Sequence, residues 1–197
     1  FAKDIKAIVV DKNDKSIVQN LKKKFKSSKI IVWNKNNSKN INLLKKLKPR
    51  KFFLLWWKYI LNEELLKIPK YETINLHPSY LPHFKGKDPN FWSILKDGPY
   101  GVSIHRVNKK IDSGPILFRK KFSNLDLTID AKKLYELNIV AIKTLFKEKY
   151  KVLRKNKISK SIPNNKIKKI YSRKDMIKKS TLDLKKSYKA KYIFNLL

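Results

Sequence analysis

Phe52-Phe53-Leu54-Leu55-Trp56-Trp57 is an unbroken apolar run, and its length suits a strand better than a helix. With no polar residue to mark a wet side, it reads as a strand covered on both faces, as in a parallel sheet between helices. Toward the N-terminus, Ile5-Lys6-Ala7-Ile8-Val9-Val10 reads as a buried strand and Ile30 to Trp33 as a short one. Ile17, Leu21 and Phe25 recur every fourth residue between them, and Leu43, Leu44 and Leu47 form a second helical stripe ending before Pro49. Toward the C-terminus, Asn62 can cap a short helix with Glu63 and Glu64 in its first turn, where the helix dipole favours anions. Tyr71 to His77 is the next strand. Strands alternating with helices predict right-handed βαβ units and a Rossmann-like α/β fold, its mostly parallel sheet flanked by helices.

The pattern then changes. Asn90 to Lys96 reads as a helix stopped by Asp97-Gly98-Pro99, Gly101 to Val107 as a strand, and Ile116 to Phe122 as its hairpin partner. Asp130 can cap a long helix with the stripe Leu134, Tyr135, Asn138, Ile142, Leu145, Phe146 and Tyr150, which the polar Asn138 interrupts. From Lys155 the chain turns Lys/Ser/Asn-rich and is expected to be a mobile, partly ordered tail. Residues 1–150 form the expected first domain and 151–197 a Lys-rich C-terminal extension. Phe1 is no initiator and a strand follows at once, so the N-terminus is expected to be incomplete, and the abrupt Leu196-Leu197 suggests the same of the C-terminus.

The 197 residues contain no cysteine, which removes disulfides, Cys-ligated metals and thiol nucleophiles from consideration. No apolar run approaches the ~20 residues of a membrane span, and Phe1-Ala2-Lys3-Asp4 does not open a signal peptide. Net charge is +34, the footprint of a polyanion binder. Yet 44 of the 49 basic residues are Lys and only 5 are Arg, the preferred bidentate reader of phosphates and bases. With 17 Asn and 22 Ile alongside, A/T-rich coding explains the excess, and a solvated Lys surface is the expectation. Neither a G-x-G-x-x-G after a strand nor a G-x-S-x-G elbow is present.

All four glycines lie between residues 86 and 114, and all three histidines (His77, His83, His105) lie in an overlapping window. In Ile74-Asn75-Leu76-His77-Pro78-Ser79-Tyr80-Leu81-Pro82, strand alternation puts Asn75 and His77 on one face, about 7 Å apart. Pro78 ends the strand, so both sit at its carboxyl end, where ligands bind in α/β sheets. An amide and an imidazole aimed into one crevice can meet an oxygen that gains negative charge in acyl transfer. Asp112, in the tight Lys110-Ile111-Asp112-Ser113-Gly114-Pro115 loop, can orient or charge the imidazole or relay a proton. Its carboxylate is expected to raise the His77 pKa and keep the imidazolium populated. A metal hydrolase built on His77, His83, His105 and Asp112 is the runner-up chemistry.

N-L-H-P-S-Y-L-P, F-K-G-K-D-P, G-V-S-I-H-R-V and I-D-S-G-P-I-L together resemble the folate-dependent formyltransferase family, from about Ile5 to Lys149 and most densely from Asn75 to Leu117. The resemblance implies that 1–150 is a formyltransferase catalytic domain without its first strand. It implies 10-formyltetrahydrofolate as formyl donor, a primary amine as acceptor and no metal. The family's catalytic Asn, His and Asp fall on Asn75, His77 and Asp112. Its folate pocket falls on Trp57, Tyr59 and Leu61, and on Val107, Asn108 and Lys109. The loop before D-x-G is usually acidic in the family; Asn108-Lys109-Lys110 stands there instead. The residues after Tyr150 resemble the segment that follows the catalytic domain in the sugar N-formyltransferases and in the tRNA enzyme, and the Phe91-Trp92 pair resembles the sugar group. A nucleotide-linked amino sugar is therefore the expected acceptor, in a cytoplasmic enzyme that binds neither membrane nor nucleic acid and that a homodimer would suit. Phosphoribosylglycinamide formyltransferase, methionyl-tRNA formyltransferase and a non-catalytic folate or polyanion binder are the alternatives.

Overall fold

The computed structural model describes residues 2–34, 38–123, 125, 129–155 and 158–196. Phe1 and Leu197, on which the expectations about the chain ends rest, lie outside the described residues. The apolar run forms strand β3, Lys51–Leu55, covered on both faces as expected: Phe52 packs on the core of Ile31, Trp33, Leu44 and Leu65, and Phe53 on that of Ile74, Leu76 and Ile142. Leu55 is 58% and Trp56 39% exposed, and Trp56 leaves the extended conformation with φ 51°. Among the described residues β3 lies at one edge of a four-stranded sheet, with one neighbour on its ladder.

That neighbour is β4, Glu72–His77, which runs parallel to β3. β6, Gly101–Arg106, follows antiparallel, and β7, Ile116–Lys121, closes the sheet as its antiparallel hairpin partner. β1, Ala7–Asp11, and β2, Lys29–Trp33, make a separate parallel pair with no ladder to the larger sheet among the described residues. The short β5, Lys85–Gly86, pairs in parallel with β8, Ile170–Tyr171. Three of these five strand pairings are parallel, so the sheet structure is the expected mostly parallel one.

The first helical stripe is weaker than its spacing suggests. Residues 12–17 form a 3-10 turn, and α1, Val18–Lys24, buries none of its side chains. α2, Ser38–Leu47, turns Leu44 into a core with Ile31, Trp33 and Leu65, the last from α3, Glu63–Leu66. Asn62 caps α3 as expected: its side chain accepts the Leu65 N–H at 2.9 Å. α4 is Pro89–Leu95. The long α5, Ala131–Leu153, is capped by Asp130. It lays Ile142, Leu145 and Leu153 against Ile74, Leu76, Val102 and Ile104 of the large sheet. Burying four-carbon side chains at this depth is worth about 2 kcal/mol each, so this layer is the main stabilising contact.

Asn138, the polar interruption in the α5 stripe, is 2% exposed. Its amide donates to Asn90 Oδ1 at 2.7 Å and to the Pro78 carbonyl at 3.3 Å. It thus ties α5 to the turn that follows the carboxyl end of β4. The extension carries β8 and two helices, α6 (Arg173–Ser180) and α7 (Ala190–Phe194). Ser172 caps α6 in a reciprocal box with Asp175, and Tyr171 packs on Trp92 with ring centroids 4.3 Å apart. No helix among the described residues is long and apolar enough to cross a membrane.

Candidate active site

Three backbone elements meet at the carboxyl end of β4. Asn75 pairs with His105 across the antiparallel ladder and His77 with Ser103, so one sheet face presents Asn75, His77 and His105 together. The Asp112 loop folds onto this face from the β6–β7 connection. The loop fits only because Gly114 lacks a side chain: a Cβ there would collide with the Arg106 carbonyl. Asp112 itself sits at φ 44°, a left-handed conformation uncommon outside glycine.

The carboxylate of Asp112 is the hub. Its Oδ2 accepts the Gly86 N–H at 2.9 Å and lies 3.6 Å from His77 Nδ1. Its Oδ1 accepts from the Asn75 amide at 3.4 Å and lies 3.5 Å from His105 Nε2. His105 Nδ1 must donate to the Arg106 carbonyl, 2.7 Å away, and Nε2 faces both the Asn75 amide at 3.2 Å and Asp112 Oδ1, accepting from the amide when bare and donating to the carboxylate when protonated. His77 Nε2 likewise faces a carbonyl, that of Phe84, at 3.3 Å. Its Nδ1 is then the nitrogen turned toward Asp112.

Burial dominates the electrostatics of His77. It pushes the imidazole below its ordinary value, a push that the Asp112 charge only partly offsets and the His105 charge reinforces. The expectation that Asp112 keeps His77 charged at rest is therefore corrected, because the ring is 5% exposed and loses its hydration. Burial would raise the Asp112 carboxyl, but the His77 charge, the His105 hydrogen bond and charge, and the Gly86 N–H together hold it well below the usual carboxylate range.

His77, His105 and Asp112 bring potential ligand atoms within 4.8 Å of one another; His83 is outside this group. Two N–H donors, from Asn75 and Gly86, already aim at the same carboxylate, so part of its hydrogen-bonding capacity is met within the protein. His105 was legible in the sequence as the second polar residue of the alternating Ser103-Ile104-His105. Lys85 and Asn164, both buried beside this loop, were not read as site residues. One lies in a two-residue strand within a Gly/Pro-rich stretch and the other in a Lys/Asn-rich stretch.

The expected folate residues flank the trio in two segments. Trp57, Tyr59 and Leu61 pack on the β2–α2–α3 core, with Trp57 edge-on to Trp33 at 6.0 Å and to Tyr59 at 5.5 Å. Val107 borders a surface depression of about 550 Å³ with Thr73 and Arg106. Asn108 closes a turn by accepting the Lys110 N–H at 3.0 Å, and Lys109 reaches Glu63 at 2.9 Å. That ion pair spans from one segment to the helix that follows the other. Among the described residues, Trp57 Nε1 is buried without a hydrogen-bond partner.

Residues 3–136 match the formyl transferase family. The chain belongs to this family. A bifunctional polymyxin resistance protein from Wigglesworthia glossinidia brevipalpis is 36% identical over 151 residues, 75% of this chain and 23% of that protein. A methionyl-tRNA formyltransferase from Prochlorococcus marinus (strain MIT 9215) is 37% identical over 115 residues, 57% of this chain and 35% of the enzyme. The chain thus spans about a quarter to a third of the curated relatives it matches. Among solved structures, the formyltransferase PseJ from Anoxybacillus kamchatkensis, in complex with UDP-4,6-dideoxy-4-formamido-L-AltNAc and tetrahydrofolate, is 27% identical. It superposes with a TM-score of 0.66 over 87% of this chain and 88% of its own.

Proposed function

We propose that this formyltransferase chain moves a formyl group from 10-formyltetrahydrofolate to the primary amine of a nucleotide-linked amino sugar. The carrying observation is the convergence of Asn75, His77 and Asp112 at the end of β4. The likeness to a solved formyltransferase holding a nucleotide-linked formamido sugar and tetrahydrofolate supports both substrates. In this reading, residues 1–150 are the catalytic domain, 151–197 an extension of it, and the cytoplasm its compartment.

The amine nitrogen attacks the formyl carbon and a C–N bond forms while the carbonyl electrons move to oxygen. The Asn75 amide can donate to that oxygen by releasing one of its two long hydrogen bonds, to Asp112 Oδ1 at 3.4 Å or to His105 Nε2 at 3.2 Å, and one such donor is worth ~3 kcal/mol. The tetrahedral species then collapses, breaking the bond to the folate nitrogen, which leaves with the electron pair. The proton lost by the amine must reach that nitrogen. A neutral His77 can take it at Nδ1, where the Asp112 carboxylate 3.6 Å away stabilises the imidazolium until it is passed on. A resting neutral imidazole suits this shuttle role better than a permanently charged donor does. Trp57, Tyr59, Leu61, Val107, Asn108 and Lys109 are the proposed folate contacts.

The test is formyl transfer by the complete protein, read by mass spectrometry on a panel of amines: nucleotide-linked amino sugars, glycinamide ribonucleotide and methionyl-tRNA. Asn75→Ala, His77→Ala and Asp112→Ala should each cut turnover by about 100-fold or more while the fold persists. Near-normal turnover in two of the three removes the chemistry assigned to this trio. Formylation of methionyl-tRNA alone would replace the sugar acceptor.

A further inference from the structure

Asp112 is held in its left-handed conformation from behind, by residues far along the chain. Such a backbone is unfavourable for a residue with a Cβ and is held where its surroundings impose it. The side-chain amide of Asn164, 3% exposed, donates to the Asp112 carbonyl at 2.8 Å and to the Gly114 carbonyl at 2.9 Å. Both amide hydrogens are thereby spent on the two carbonyls that bracket the turn. Asn164 is itself fixed: its backbone carbonyl accepts from Lys85 Nζ at 2.7 Å, and the same ammonium donates to the Ile167 carbonyl at 2.8 Å. Lys85 is 2% exposed and neighbours Gly86, whose N–H binds the Asp112 carboxylate.

Two short pairings flank this arrangement. Ile116 and Ile162 exchange backbone hydrogen bonds at 2.9 and 2.8 Å. Gly86 pairs with Tyr171, so closely that a Cβ at Gly86 would collide with the Tyr171 carbonyl. The segment from 158 to 171 thus grips the Asp112 loop on one side and the Lys85-Gly86 strand on the other. We propose that Asn164 is a positioning residue for formyl transfer, which, braced by Lys85, sets the Asp112 carboxylate through its main chain, so that the extension completes the active site. This rests on the reading of Asp112 as catalytic.

Asn164→Asp keeps the side-chain shape and removes both N–H donors; Asn164→Ala removes the side chain. In the full-length protein, both should lower kcat by about 100-fold, the usual cost of an ångström of misplacement. The KM for the folate donor should change by less than about 2-fold, since no donor contact is removed. In an Asp112→Asn background, Asn164→Asp should add little, because the two substitutions act through one group. The structural readout is the Gly86 amide proton in NMR spectra, where four glycines make assignment simple. It should move upfield in both variants while those of Gly98 and Gly101 stay in place.

Wild-type kcat in folded Asn164→Asp, or an unmoved Gly86 amide, overturns the proposal. If the Asn164 variants do not fold, Lys85→Met carries the same test, with the same Gly86 shift and kcat loss expected and an unchanged pair overturning it. If the wild-type protein formylates no amine in the panel, the proposed function falls, and the Gly86 resonance still decides whether Asn164 sets Asp112.

Discussion

Gly114→Ala is a direct probe of how tightly the Asp112 loop is seated. An added Cβ would lie 2.8 Å from the Arg106 carbonyl carbon and closer still to its oxygen, where ordinary contact begins at 3.4 Å. The Arg106 carbonyl cannot turn aside without releasing His105 Nδ1, bound to it at 2.7 Å. Its peptide unit is also tied to β4, since the Val107 N–H on that unit donates to the Thr73 carbonyl at 2.8 Å. The loop must therefore retreat by about 1 Å and take Asp112 with it, a displacement that costs about 100-fold in turnover, or ~2.7 kcal/mol of transition-state stabilisation. Overpacking adds a stability loss of about 1–3 kcal/mol. Steady-state formyl transfer and urea denaturation on the same preparation separate the two effects. Turnover within about 3-fold of wild type in a folded protein would refute the claim that this loop holds Asp112 to sub-ångström tolerance.

Two further outcomes are expected. Burial holds folded His77 below its ordinary value, so the unfolded chain takes up a proton near pH 6.5 that the folded chain refuses. Stability should be full above about pH 6.5 and fall as the pH drops below it; urea midpoints at about pH 7.5 and 5.5 should differ, and His77→Gln should narrow the gap. Equal wild-type midpoints would contradict the burial argument. Asn138→Leu strands Asn90 Oδ1 and the Pro78 carbonyl, and chemical denaturation should show a loss of about 1–3 kcal/mol; a stabilised variant would show that packing, not the hydrogen bonds, governs this position.

The face that carries the proposed trio was legible because a strand's two-residue period is rigid. Asn75 and His77 had to share a side, and Ser103 and His105 repeat that spacing on the neighbouring strand. The long helix was equally clear, and its one polar residue marked a real tie to the turn after β4. The apolar run at 52–57 misled only near its end, where Leu55 and Trp56 are exposed, because continuous hydrophobicity does not say where a strand stops. The Ile17, Leu21 and Phe25 stripe misled for a related reason: the spacing survives in a 3-10 turn and a short helix that bury nothing. Asn164 carries no local signal. Its role depends on a meeting with residues about fifty positions away, and an Asn among many Lys and Asn residues reads as surface.

The division of the sheet into two pieces bears on how the molecule breathes. A lone two-stranded ladder is marginal in water, and β1–β2 is joined to the rest by side chains such as the Trp33–Trp57 pair and the Lys58–Asp11 ion pair at 2.7 Å. Amides at 7–11 and 29–33 should therefore exchange with deuterium through partial opening, at smaller free energy than those at 72–77 and 101–106. Trp57 and Tyr59 belong to the same packed cluster. A ligand seated on them binds only the closed form, and it slows that exchange in proportion to its own occupancy. The exchange rate of this small ladder is thus a gauge of donor binding that needs no turnover.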